Sequence, residues 1–472
     1  MESRHFYFIF CILLCFGTNS FLRASQCAAQ LEQKQAAQEI AQPHKVATEL
    51  GLKMLFEAME GALTEEALEQ YLKQGADVNA KDKNGITTLI FASAKGQANL
   101  VQQLVAAGAE VNAKTKKDDT ALLLAAWNGR EAVVKKLIAA PRIQIDAQSG
   151  AGSTALILAA WKGYTNIVQL LINAHANLNI QNEDGDTALI RAAEEKHQEA
   201  AELLINAGAD LNHQNKNHQT ALISVARNNS IKIAEKLIKA HAQLNITQPN
   251  SGHNALIIAA LNGHTEIVRL LAKAGAELNA KIFHNGSTAL IFAVRNYHPE
   301  TVKALIEAGA DVNAKDEMGY SALMYIGPQD RRGVTIDVGN DYRGILKDLI
   351  DGGADVNGKG MYTPLMQVAT KRPELVQQLV AAGADPSRRM NGRTAYDKAY
   401  DKEAFNKAVE AGLAEWKERL ELYDAQQKQA KKIVEEEKQL IPNISDIITG
   451  YAYGESSPTD LPESEKKESA GN

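Results

Sequence analysis

Residues Thr154–Gly163 read TALILAAWKG, and altered forms of that phrase begin at Thr87, Thr120, Thr187, Thr220, Asn254, Thr288, Ser321, Thr363 and Thr394. Successive starts are 33, 34, 33, 33, 34, 34, 33, 42 and 31 residues apart. A second phrase keeps step with the first: GADVN at Gly75, Gly309 and Gly353, GAEVN at Gly108, GADLN at Gly208 and GAELN at Gly275. Two phrases locked in phase over about 300 residues are an internal repeat, not an effect of composition.

The residue types have mechanical reasons. A threonine at the start caps a helix through its hydroxyl. Leu122, Leu156, Leu189, Leu222, Leu256 and Leu290, with the alanine pairs Ala125–Ala126, Ala159–Ala160 and Ala259–Ala260, form a narrow apolar stripe that lets helices approach closely. Gly129, Gly163 and Gly263 suit the end of that first helix. A second apolar helix follows, as in Ile267, Val268, Leu270 and Leu271, and a polar turn such as Asp184–Gly185 fits a tight hairpin.

These motifs resemble ankyrin repeats. The family's Thr-Pro-Leu-His start followed by paired alanines reappears with alanine usually replacing proline, while Thr363–Leu365 keeps the proline. The resemblance covers about residues 50–412, as ten motifs and an N-terminal half, Leu52 to Asn79, that serves as a cap. It implies an all-α repeat solenoid: a stack of helix pairs with β-hairpin fingers that binds proteins on its concave face. A stack suits the physics, since one unit hides its apolar face only against a neighbour.

Several positions depart from the pattern. His175 and His241 occupy the slot after the second helix where the chain turns left-handed, and Pro141 fills the same slot elsewhere with one extra residue before Asp146. The 42-residue spacing marks a polar insert at 327–342 holding Asp330, Arg331, Arg332, Asp337 and Asp341. It is read either as a functional loop or as drift in a tolerated connection.

Counted from each start, offsets four and seven face the concave side. They read Phe91/Ala94, Leu124/Trp127, Leu158/Trp161, Arg191/Glu194, Ser224/Arg227, Ile258/Leu261 and Phe292/Arg295. The expected partner-binding residues are therefore Phe91, Leu124, Trp127, Leu158, Trp161, Arg191, Arg227, Leu261, Phe292 and Arg295, with Tyr164 at the border. The competing reading has Trp127 and Trp161 packing on each other between repeats.

The 472 residues are 45% hydrophobic and 23% charged with a net charge of −6, which excludes wholesale disorder and gives no electrostatic case for nucleic acid. Cys11, Cys15 and Cys27 are the only cysteines, so a disulfide scaffold, a Cys-ligated metal site and a Cys nucleophile are excluded from the body. The run Phe6 to Phe16 after Arg4 and His5 fits a signal-peptide core, giving a signal peptide at 1–27 and a secreted or periplasmic destination. A retained anchor, and lipidation of Cys27, are other uses of the same residues, although Ala24 and Gln26 match a lipobox poorly.

Residues 28–49 read as a linker. At 413–441, Leu413, Trp416, Leu420, Tyr423, Ala430 and Val434 follow 3-4 spacing interrupted by Gln427, the pattern of a helix that docks on the last repeat or pairs as a coiled coil. Ile441 and Pro442 end it, and 442–472 is a disordered tail.

The sequence holds no HExxH pair, nucleophile elbow or phosphate loop, and His213 and His218 are a weak metal pattern. Asn228, Asn245, Asn285 and Asn443 open Asn-x-Ser/Thr triplets. No cofactor or metal is expected. The expected function is an exported, non-catalytic scaffold for a protein partner, with no nucleic acid and no membrane span after signal removal. The alternatives are an oligomerising structural protein that self-associates through 413–434, and an enzyme with its site in the insert, which the lack of a core outside the repeats disfavours.

Overall fold

The computed structural model describes residues 43–326, 341–358, 362–369 and 373–438. The signal peptide, the first part of the linker, insert residues 327–340 and the tail lie outside the described residues. Two compact units result: one runs to Val225 and includes Lys239–Ala242, the other comprises Ala226–Ile238 and the chain from Gln243.

In the first unit, each repeat is an inner and an outer helix followed by a finger. Ala155–Lys162 is typical. Thr154 Oγ1 accepts the Ile157 amide at 3.3 Å, and Gly163 closes the helix at φ 71° while the amides of Gly163 and Tyr164 return to the Ala160 and Ala159 carbonyls. The same threonine cap opens Thr88–Lys95, Ala121–Trp127 and Ala188–Glu194. Because Ala159 and Ala160 carry only methyl groups, this inner helix packs directly on the inner helices before and after it. The outer helix Thr165–Asn173 turns Ile167, Val168 and Leu171 inward, all fully buried. Each such side chain contributes about 2 kcal/mol, realised only once a neighbour is present.

The fingers are Asx turns. Asp82 Oδ1 accepts the amides of Asn84 and Ile86, and Asn182 Oδ1 those of Asp184 and Asp186. No strand occurs among the described residues, and the one bridge is Met390 with Arg393. The expected hairpin fingers are therefore turns whose arms are too short for a ladder. An asparagine ladder stitches the repeats: Asn79 Oδ1 accepts the Glu110 amide at 2.7 Å, Asn112 the Gln144 amide at 2.8 Å and Asn179 the Asp210 amide at 2.8 Å.

The left-handed slot behaves as expected at His175 (φ 60°) and His241 (φ 64°) but not at Pro141. A proline ring holds φ near −65°, so the turn passes to Arg142 at φ 61°, which explains the extra residue in that repeat.

The second unit repeats the plan in Ala255–Leu261 with Thr265–Lys273 and Ala289–Arg295 with Pro299–Glu307. Its ladder runs from Asn279 to Asp311, from Asn313 to Asp355 and from Asn357 to Asp385. At Ser321 the pattern weakens: the serine caps nothing and Ala322–Tyr325 makes a single 3-10 turn. The last two insert residues, Asp341 and Tyr342, open the helix Asp341–Asp351, which packs on Pro299–Glu307 with Tyr342 fully buried edge-on to Tyr297, ring centroids 4.6 Å apart.

Two elements fall outside the boundaries drawn from sequence. The first helix among the described residues is Pro43–Glu60, beginning inside the stretch read as linker, and Met54 and Leu55 fix it in the core. The last is one helix, Lys402–Lys438, that passes residue 412 without a break and packs on Pro373–Ala381.

Candidate protein-binding face

The expected face divides between the units, seven residues in the first and four in the second. For the aromatic rings, offset decides exposure. A ring at offset four enters the seam between inner helices and is buried, as Phe91 (8% exposed) and Phe292 (8%) are. A side chain at offset seven stands outside that seam, and Trp127 and Trp161 are half-buried there, as are the offset-four side chains Leu124 and Leu158 beside them.

The two indoles meet edge-on, ring centroids 5.2 Å apart. Lys162 Nζ lies 4.0 Å from the Trp127 ring centre and 5.6 Å from that of Trp161, and the Arg191 guanidinium stands 4.9 Å from the Trp161 ring. Trp161 Nε1 donates to Glu195 Oε1 at 3.2 Å. The tryptophans therefore do pack on each other between repeats, yet neither is enclosed.

Arg191 is itself set by carboxylates. Its side chain, 18% exposed, contacts Asp186 at 2.9 Å, Asp184 at 3.3 Å and Glu194 at 3.2 Å. Asp186 is almost fully buried and also accepts Asn215 Nδ2 at 2.6 Å. This side chain is thus a fixed plate over the ring rather than a mobile surface cation.

Tyr164 sits beside the cluster, against the end of the Trp127 helix. It precedes the outer helix, and its ring lies over Gly129 so closely that a Cβ there would come within 2.8 Å of Cζ. Histidines fill the equivalent position in later repeats. His197 Nε2 meets the Trp161 carbonyl at 3.0 Å, and in the second unit His264 Nδ1 meets that of Ala226 at 2.8 Å and His298 Nε2 that of Leu261 at 3.1 Å. These rings tie one repeat's outer helix to the inner helix before it.

Three copies of the family model described as "Ankyrin repeats (3 copies)" match residues 54–149, 141–215 and 202–282, and the model "Ankyrin repeat" matches 285–317. The chain is an ankyrin repeat protein. No curated protein matches it. Ankyrin repeats are generally protein–protein interaction modules, and proteins built from them are typically non-enzymatic scaffolds.

In the second unit of this ankyrin protein the chemistry is inverted. Arg295, at offset seven, caps Phe292 at 5.9 Å and Tyr325 at 5.1 Å. Tyr325 is buried and donates to Asp316, which also accepts the amides of Met318 and Tyr320. Burial, then this carboxylate, push the Tyr325 phenol well above its ordinary pKa, so it stays a donor. Arg227 is exposed and Leu261 half-buried, while His253 faces Phe292 at 5.7 Å. Burial, with Arg227 and His284 nearby, holds the His253 imidazole below its usual pKa.

Sequence reading missed Lys162, Asp186, Glu195 and Tyr325. Lys162 had a signal, because Lys95 stands at the same offset and lies 5.5 Å from Phe91. Asp186 had none, since only the finger's fold brings it to Arg191. His213 is engaged by the Gly185 carbonyl at 2.9 Å, and no group of three metal-ligating side chains occurs among the described residues. No described helix is long and apolar enough to cross a membrane.

Proposed function

We propose that the chain is an exported, non-catalytic scaffold that grips a segment of a partner protein on the face made by Trp127, Trp161, Lys162 and Arg191. The carrying observation is the pair of half-exposed indoles clamped edge-to-face, with a lysine and an arginine over their rings and the arginine locked by buried Asp186. Rigid aromatic anchors lose little freedom on binding, and Trp and Arg dominate interface energetics. The apolar run Phe6 to Phe16 supports export.

The test is capture of the partner by residues 43–438 and by the Trp127→Ala/Trp161→Ala variant, identified by mass spectrometry. The variant should keep its helical circular dichroism and lose the partner. A variant that keeps its partner overturns the assignment of the face. Cell fractionation with N-terminal sequencing tests export separately: a chain that stays inside with Met1 intact overturns that part.

A further inference from the structure

The helix Lys402–Lys438 has two roles along its length. Its first part is held by the stack. Gly412 is buried so close to Pro373–Ala381 that a Cβ there would come within 2.6 Å of the Gln377 carbonyl oxygen, and Gln377 Nε2 donates to Glu415. From Leu413 to Lys432 every residue is exposed, and past Trp416, whose indole edge still lies against Gly383, the helix leaves the stack. Leu413, Trp416, Leu420 and Tyr423, which share one side of the helix, remain 41% to 57% exposed. Gln427 and Ala430 continue their 3-4 spacing. A seam of this kind matches a second helix.

We propose that the occupant is the same helix of a second copy of this chain, paired antiparallel with its centre between Leu420 and Tyr423. Charge and size both point there. Residues 413–424 carry four carboxylates and two cations, whereas 425–432 carry three lysines and no acid before Glu435–Glu437 follow, so these two segments complement each other when the helices run head to tail. In this register Leu420 meets Tyr423 of the second copy, Trp416 meets Gln427 and Leu413 meets Ala430, which sets large side chains against small or flexible ones. On the flanks Lys417 meets Asp424 and Lys431 meets Glu410, opposite charges in both cases. A parallel pair keeps one such match, Arg419 with Asp424, leaves Lys417 beside Gly412 and sets Gln427 against itself. The consequence is bivalency: two stacks per assembly, which strengthens capture of a partner with repeated or clustered segments.

Light scattering on the full chain, eluted over a range of concentrations, should give twice the mass of one chain. Leu420→Glu/Tyr423→Glu should give single chains with unchanged circular dichroism, because both side chains are exposed before pairing. The dissociation constant should rise about a hundredfold or more. Lys417→Glu alone should weaken the dimer and Lys417→Glu/Asp424→Lys should restore it, a pattern that a parallel pair does not give. A chain that stays single at all concentrations, or a dimer that Leu420→Glu/Tyr423→Glu leaves intact, overturns the proposal. Insensitivity to Lys417→Glu overturns the antiparallel register.

Discussion

The cluster around Trp161 and the cluster around Phe292 use the same two repeat positions in opposite order. In the first unit the cation, Arg191, stands at offset four and the ring, Trp161, at offset seven. In the second the rings Phe292 and Tyr325 stand at offset four and the cation, Arg295, at offset seven. The first order leaves aromatic surface facing out and costs a buried arginine that needs Asp186. The second hides its rings in the seam and shows a guanidinium instead. Exchanging two residue types across a fixed scaffold thus turns half-buried aromatic surface into core.

The largest effect should come from breaking the closed order. Phe292→Ala deletes a buried ring and should lower unfolding free energy by about 3–5 kcal/mol in urea titration. It should leave affinity at the tryptophan face unchanged. Asp186→Ala strips Arg191 of its buried counter-ion and Asn215 of its acceptor, so a loss of about 3 kcal/mol is expected. Adding Arg191→Met should recover part of it, which denaturant titration of the single and double variants measures. Trp161→Ala should act in the reverse sense, weakening partner capture by about 2 kcal/mol in calorimetry while shifting stability less than Phe292→Ala does.

The smallest effect is on pH dependence, and it belongs to the second unit. Burial holds the His253 and His298 imidazoles below their ordinary pKa, so the folded chain keeps them neutral while the unfolded chain takes up protons. Their contribution is therefore complete above the unfolded value, near 6.5, and is lost as pH falls through it towards the folded value. The thermal midpoint should drop between about pH 7.5 and about pH 5.5, and His298→Gln, whose amide still donates to Leu261, should flatten that slope.

Much of this was legible along the chain. Thr87, Thr120, Thr154, Thr187, Thr220 and Thr288 all accept the helix amide that their place in the phrase implies. Each of those bonds spans three residues, and short-range geometry follows from residue type. Tyr164 was placed at the border of the face, but its packing on Gly129 was not legible because that glycine belongs to the previous repeat. Phe91 and Phe292 were read as surface for the same reason, since what covers a ring at offset four is an adjacent repeat.

The amino-acid order by itself settled the repeat, its period, and its caps and left-handed slots with the exceptions of Ser321 and Pro141. These are held by bonds within a few residues of each other, so each phrase carries its own instructions. The tertiary structure alone decided which rings face solvent, which carboxylate locks Arg191, and that Lys402–Lys438 runs on past Gly412 as one helix. The exposure of the rings depends on side chains some thirty residues apart meeting across a seam that exists only when neighbouring repeats are stacked, and Asp186 reaches Arg191, five residues on, only through the fold of the finger.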